Sequence, residues 1–280
     1  MRITHLSDLH FGHHDEQVAA SLAADIATQE PDLVVISGDF TQMGTPSEFA
    51  AARAFLDQLQ TPFFAVPGNH DVPQVNLVRR FLNPYGLYRK FIDPDLEPFT
   101  EIDGVALAGM RSVRRLRGGL DWAQGLISPK QLAELAYRFS RATAATTRVI
   151  VVHHPLMMPE RQMQKPQRRV DNADRALRAF AELGVRLVLS GHFHLSYIRR
   201  FEQPGVVCDG TPSGPRESAI APILVAQSSS TTSTRLRGEP NAYNVIDIAS
   251  GEISIAVREW HGSGWRTRET ATKPVEISAR

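Results

Sequence analysis

The 280-residue sequence predicts an α/β fold built on parallel strands, and two observations carry that prediction. Short β-branched apolar runs alternate with segments whose apolar residues recur at helical spacing. Most of those runs also end in a block rich in Gly, Asp, Asn or His. Strand–helix–strand–helix–strand order implies parallel pairing through right-handed crossovers.

The elements follow in order. Ile3 to Ser7 is an apolar stretch that stops at Asp8. Gln17 to Gln29 has helical periodicity, and Pro31 ends it. Asp32 to Ser37 is continuous and β-branched, as a strand covered on both faces must be, and it runs into Gly38-Asp39. Pro46 to Leu59 reads as a helix with proline in its first turn, and Phe49, Ala52, Phe55, Leu56 and Leu59 lie on one side. The strand Pro62 to Val66 leads into Gly68-Asn69-His70-Asp71.

The stretch 83–100 holds three prolines and reads as irregular. A strand at Val105 to Met110 and a helix from Ser128-Pro129 to about Arg141 come next. The strand Val149 to Val152 ends at His153-His154. A helix over 172–183 precedes the strand Arg186 to Leu189, which ends at Gly191-His192-Phe193-His194. Beyond it helix signals vanish, and Val206–Cys208, Pro222–Ala226, Tyr243–Ile248 and Ile253–Val257 are short strand candidates.

Composition narrows the class. With 42% hydrophobic and 22% charged residues the chain can bury a large core. No apolar run approaches the roughly 18–20 residues of a bilayer-spanning helix. The polar groups near Met1 do not read as a secretory signal, and Cys208 has no partner for an internal disulfide, so a cytoplasmic setting is expected. A net charge of +1 gives no general attraction to nucleic acid or membrane.

Nine of the ten histidines lie in or beside the blocks that end strands, the edge where open α/β sheets bind ligands. Taken singly, each block has a bland explanation: a capping aspartate, a turn carboxylate, an exposed loop histidine. Asp8-Leu9-His10 and His192-Phe193-His194 would each, in extended backbone, aim two ligands to one side. Together the blocks supply Asp8, His10, Asp39, Asn69, His153, His192 and His194. If Asp39 bridges, one ion takes Asp8, His10, Asp39 and His194, and a second takes Asp39, Asn69, His153 and His192. His154 is expected to bond to backbone instead.

Nitrogen and oxygen ligands without thiolate suit Mn²⁺, Fe²⁺/Fe³⁺ or Zn²⁺. Two divalent ions against two aspartates leave an excess charge of about +2, which favours a hydroxide and an anionic substrate. Two such ions lower the pKa of water towards 7 and suit in-line attack on phosphorus.

The blocks Asp8-x-His10, Gly38-Asp39, Gly68-Asn69-His70-Asp71, His153-His154-Pro155 and Gly191-His192-x-His194 occur in the order found in calcineurin-like metallophosphoesterases. The sequence resembles that superfamily over residues 1–260. Gly38-Asp39-Phe40 with Gly44, Pro46 and Glu48-Phe49 resembles the branch of class III cyclic nucleotide phosphodiesterases and bacterial glycerophosphodiesterases. The resemblance implies a four-layer α/β/β/α sandwich of two mixed sheets, with residues of about 197–260 completing the second sheet and 261–280 forming a tail. It implies two metal ions on the seven residues above. His70 would serve as a non-ligand catalytic histidine, with Asp71 orienting it through a carboxylate–imidazole contact. Gln42 departs from the acidic residue or asparagine often found at its position.

The expected activity is hydrolysis of small phosphodiesters by a metal-bound hydroxide, with phosphomonoesterase, nuclease or non-catalytic scaffold as alternatives. A small phosphoester is the expected partner, and a homo-oligomer is compatible with the sequence. Arg111, Arg114, Arg115 and Arg117 form the one basic cluster a nuclease could use, without interleaved aromatics. Residues 227–243 read as a flexible polar loop, or as one folding back to bring Arg235 to the phosphate. Residues 157–169 read as a lid, a subunit contact or a solvated loop. His13 and His14 read as exposed, and Cys208 as a small buried hydrophobe.

Overall fold

The computed structural model describes residues 1–114, 124–143, 147–163, 166–202 and 221–268. The first elements are β1 (Arg2–Leu6), α1 (Glu16–Thr28), β2 (Leu33–Ile36), α2 (Pro46–Leu56), β3 (Phe63–Ala65), α3 (Leu77–Leu82) and α4 (Gly86–Phe91). The middle holds β4 (Phe99–Ile102), β5 (Val105–Met110), α5 (Pro129–Ser140), β6 (Thr147–Val152), α6 (Ala173–Glu182) and β7 (Val185–Ser190). The last are β8 (Tyr197–Phe201), β9 (Ile223–Gln227), β10 (Ala242–Ala249), β11 (Glu252–Trp260) and β12 (Trp265–Thr267).

Local chemistry starts the helices where the sequence says. Asp15 accepts the amides of Gln17 and Val18, while Thr45 with Glu48 and Ser128 with Gln131 form capping boxes ahead of Pro46 and Pro129.

Two six-stranded sheets result, ordered β12-β11-β10-β1-β2-β3 and β4-β5-β6-β7-β9-β8. The strands β1, β2 and β3 are parallel, as are β5, β6, β7 and β9. Period-two alternation sends the two faces of each buried strand into different cores. Leu33 and Val35 of β2, with Val149 and Val151 of β6, meet in the layer between the sheets. Val34 and Ile36 face α1 and α2, and Ile150 and Val152 face α5 and α6. Those three cores define the α/β/β/α sandwich.

Three expectations need correction. The C-terminal strands do not all complete the second sheet: β8 and β9 do, but β10, β11 and β12 extend the first, because β10 pairs antiparallel with β1. Trp265–Thr267 is a strand of that sheet, not tail. The stretch 83–100 contains α4, because Tyr85, Tyr88 and Ile92 fall on one side and bury against the core of the first sheet. Arg115, Arg117 and the strand Val206–Cys208 lie outside the described residues. No described helix is long and apolar enough to cross a membrane.

Candidate metal centre

Five parallel strands deliver the expected ligands at their C-terminal ends. Past β1 come Asp8 and His10, past β2 Asp39, and past β3 a 3-10 turn over Asn69–Asp71. His153 follows β6, and His192 and His194 follow β7. The backbone at these ends is not extended. Asp8, His10, Asp39, His192 and His194 all have positive φ, between 51° and 76°. Convergence thus comes from left-handed turns in place of strand alternation, and the loops are strapped together. The amides of Asp8 and His10 donate to the carbonyls of Gly38 and Asp39, each at 3.0 Å.

Close approach explains two glycines. A Cβ at Gly191 would overlap Ser7 Oγ and press on Asp8 Oδ2, so only glycine lets the β7 loop of one sheet touch the β1 loop of the other. A Cβ at Gly68 would overlap Asp39 Oδ1.

Each aspartate is half used. Asp8 Oδ2 accepts from Ser7 Oγ at 2.6 Å and the His192 amide at 2.8 Å. Its Oδ1 is buried without a hydrogen-bond partner, 3.3 Å from His194 Nε2 and 3.7 Å from His10 Nε2. Asp39 Oδ1 accepts the His70 amide at 2.8 Å, while Oδ2 stands 3.7 Å from His10 Nε2 and 3.3 Å from His153 Nε2. The Asp39 oxygen therefore lies between the two sets of ligands.

The imidazoles are fixed by their far nitrogens. His153 Nδ1–H donates to the Ser37 carbonyl at 2.8 Å, and His194 Nδ1–H donates to the Arg235 carbonyl at 3.0 Å. In the neutral ring that leaves each Nε2 as a lone pair. His153 Nε2 faces Asn69 Oδ1 at 3.0 Å, and His194 Nε2 faces His10 Nε2 at 3.2 Å. Lone pairs so gathered repel unless a cation sits among them. The donor set could hold metal ions and is buried except for the partly exposed His192. His192 joins through His153, ring centroids 5.2 Å apart.

Electrostatics agree. Burial pushes the Asp39 carboxyl up, but His153, His70 and His10 more than offset it and hold it well below the carboxylate range. Burial pushes His153 down, yet Asp39 and Asp8 raise it to about 9. The cluster thus draws positive charge.

The two predicted catalytic residues divide. His70 lies beside the cluster, its ring 4.8 Å from that of His10 and edge-on to it, with Nδ1 at 2.6 Å from the Gln42 carbonyl. Asp71 does not orient it. Its carboxylate turns inward and accepts the amides of Asp39, Thr41 and Gly68 at 2.8–3.1 Å, because the 3-10 turn aims residues 70 and 71 in different directions. Burial and the charge of Asp39 push the Asp71 carboxyl up to about 7 against those donors. His154 Nδ1 meets the Ser112 hydroxyl at 2.7 Å.

The Ser/Thr run is not a flexible loop. Residues 228–233 are fully or almost fully buried, and Ser230 Oγ donates to the Asp8 carbonyl at 2.8 Å while Thr232 Oγ1 donates to that of Leu9 at 2.6 Å. Arg235 contributes its carbonyl, not its guanidinium. His14 packs on the Phe11 ring at 4.7 Å, and His13 meets the Thr234 hydroxyl. A pocket of about 270 Å³ opens over Asn69, His70 and His192, and Arg168, Arg237, Gln124 and Gln167 form its other walls. Arg168 and Arg237 lie in the two polar segments 157–169 and 227–243 that the sequence marks, but nothing in the sequence pairs them across one pocket.

The sequence model of the calcineurin-like phosphoesterases matches residues 1–196. The chain belongs to that family. A relative named glycerophosphodiester phosphodiesterase GpdQ, from Enterobacter lignolyticus, is 30% identical over 174 residues, which cover 58% of this chain and 60% of the relative. A cAMP/cGMP dual specificity phosphodiesterase from Mycobacterium tuberculosis is 26% identical over 212 residues, covering 69% of this chain and 62% of that protein. The chain aligns with less than two thirds of the length of the curated relatives it matches first. Among solved structures, a dimetal phosphatase from Danio rerio superposes with TM-score 0.63 at 11% identity, covering 92% of this chain and 96% of the other. At that identity the likeness concerns the calcineurin-like fold.

Proposed function

We propose that this calcineurin-like protein is a metal-dependent phosphodiesterase that cleaves small diesters of the cyclic nucleotide or glycerophosphodiester type. The observation that carries the reading is the convergence of lone pairs from Asp8, His10, Asp39, Asn69, His153 and His194 on one buried locus. Asp8, His10, Asp39 and His194 would hold one cation; Asp39, Asn69, His153 and His192 would hold the other, with Mn²⁺, Fe²⁺/Fe³⁺ or Zn²⁺ matching the donors. Cations bound there supply charge neutralisation and a water acidic enough to be a nucleophile near neutral pH.

The protein's own groups do the rest. Arg168 and Arg237 orient the phosphate anion in the pocket. Gln42 holds Nδ1 of His70, so a proton given to the leaving oxygen is carried on Nε2. Asp71 is a positioning residue that fixes the backbone of residues 39, 41 and 68. The names of the relatives support a diester substrate. The paired guanidiniums also suit a dianionic monoester, which makes phosphomonoesterase the second reading. A cytoplasmic setting fits the single cysteine.

The test is a parallel assay of Mn²⁺-loaded protein on bis(p-nitrophenyl) phosphate, p-nitrophenyl phosphate and cyclic AMP, with metal content measured beforehand. Diester turnover above monoester turnover supports the proposal; metal binding without turnover of any of the three overturns it. Asp39→Ala is expected to remove both cations and all hydrolysis. His70→Ala is expected to keep the cations and lower kcat by about 100-fold or more, the usual range for a general acid.

A further inference from the structure

A second and larger cavity, of about 530 Å³, lies away from the metal centre and, among the described residues, shares no lining residue with the pocket over it. Arg89, Arg111 and Arg114 line it together with Asn83 and Tyr85, and among the described residues no carboxylate does. The three cations come from α4 and from the segment that follows β5.

Their surroundings hold them without neutralising them. The Arg111 guanidinium sits 5.3 Å above the Tyr85 ring, whose hydroxyl donates to the Val113 carbonyl at 2.8 Å. Arg114 Nη2 donates to the Leu126 carbonyl and to Gln131 Oε1, both neutral acceptors. The Nε atoms of Arg111 and Arg114 are shut off from solvent with no hydrogen-bond partner. Among the described residues none of the three arginines has an ion-pair partner. Glu97, the carboxylate whose charge reaches Arg114, has its Oε1 committed to the Arg111 amide and to Gln131 Nε2. Burial and the neighbouring Arg111 push the Arg114 guanidinium below its usual value.

Guanidiniums gathered in a recess repel one another, and an anion that joins them relieves the repulsion and accepts from donors still without a partner. We propose that this cavity binds a phosphate group, Arg111 and Arg114 holding it from the wall and Arg89 from the exposed rim. The rim is apolar on one side: Leu82 lines the cavity and is 81% exposed, and Val78 on the same helix is 70% exposed. A phosphate free in solution and a lipid headgroup share the chemistry, and the rim accommodates either. The proposal does not rest on the hydrolysis reading.

The test titrates metal-loaded protein with inorganic phosphate by calorimetry, and in parallel with vesicles of phosphatidylglycerol or phosphatidylcholine by co-sedimentation. Expected is a phosphate event that Arg89→Gln/Arg111→Gln weakens at least tenfold while Mn²⁺ binding is unchanged. Phosphatidylglycerol binding lost in the same variant identifies lipid as the source, and its absence identifies free phosphate. Arg89→Gln alone, a change at the exposed rim, serves if the double variant fails to fold. Phosphate and vesicle binding that are both unchanged in these variants would overturn the proposal.

Discussion

Asp8 and Asp39 each give one carboxylate oxygen to the protein's own donors and turn the other towards the imidazoles of the candidate metal centre. That division was half visible in the sequence. Carboxylate, amide and imidazole types at strand ends marked the residues that converge, while the left-handed turns that aim them were not legible. What Asp71 touches was not legible, because a 3-10 turn of three residues sets it. Nor were Arg168 and Arg237, whose convergence depends on loop paths. Arg237→Gln is expected to raise KM for an anionic diester about tenfold with a smaller change in kcat, measured by steady-state kinetics. His5 gives a pH prediction. Burial between Ser37 and Asn244 pushes its imidazole down to about 3, against about 6.5 when unfolded. The unfolded chain therefore takes up a proton that the folded one refuses, so stability falls as pH drops from 6.5 towards 3 and is unaffected above. Urea melts of His5→Gln in chelator are expected to show a shallower decline across that window than the parent.

At the scale of elements, the buried run 228–233 is the clearest departure from expectation. Composition suggested solvent exposure, but a chain of small hydroxyls is also what can pack against two ligand loops and satisfy their carbonyls. Ser230→Ala leaves the Asp8 carbonyl without that donor and is expected to cost about 1–3 kcal/mol in chemical denaturation. The strands β2, β6 and β7 were readable because apolar residues fill both of their faces. Short edge elements such as β8 and β12 were not, since their half-exposed residues carry too little pattern.

For the whole molecule, the candidate cations lie across a seam. Asp8, His10, Asp39 and Asn69 belong to the first sheet, and His153, His192 and His194 to the second. A ligand bound only by the folded form at 100 times its Kd adds about 2.7 kcal/mol. Mn²⁺ is therefore expected to raise the melting midpoint by about 5–10 °C over chelated protein, read by calorimetry. Unchanged midpoints would argue against ligands shared between the sheets.

Five of the seven candidate ligand positions hold non-glycine residues in left-handed backbone, a conformation that costs about 1–2 kcal/mol at each. Glycine would relieve the cost and delete the ligand, so no exchange of amino acids can serve both ends. A protein engineer wishing to harden this molecule should leave its working rim alone and reinforce the outer helices, where a better cap or a filled void carries no chemical penalty.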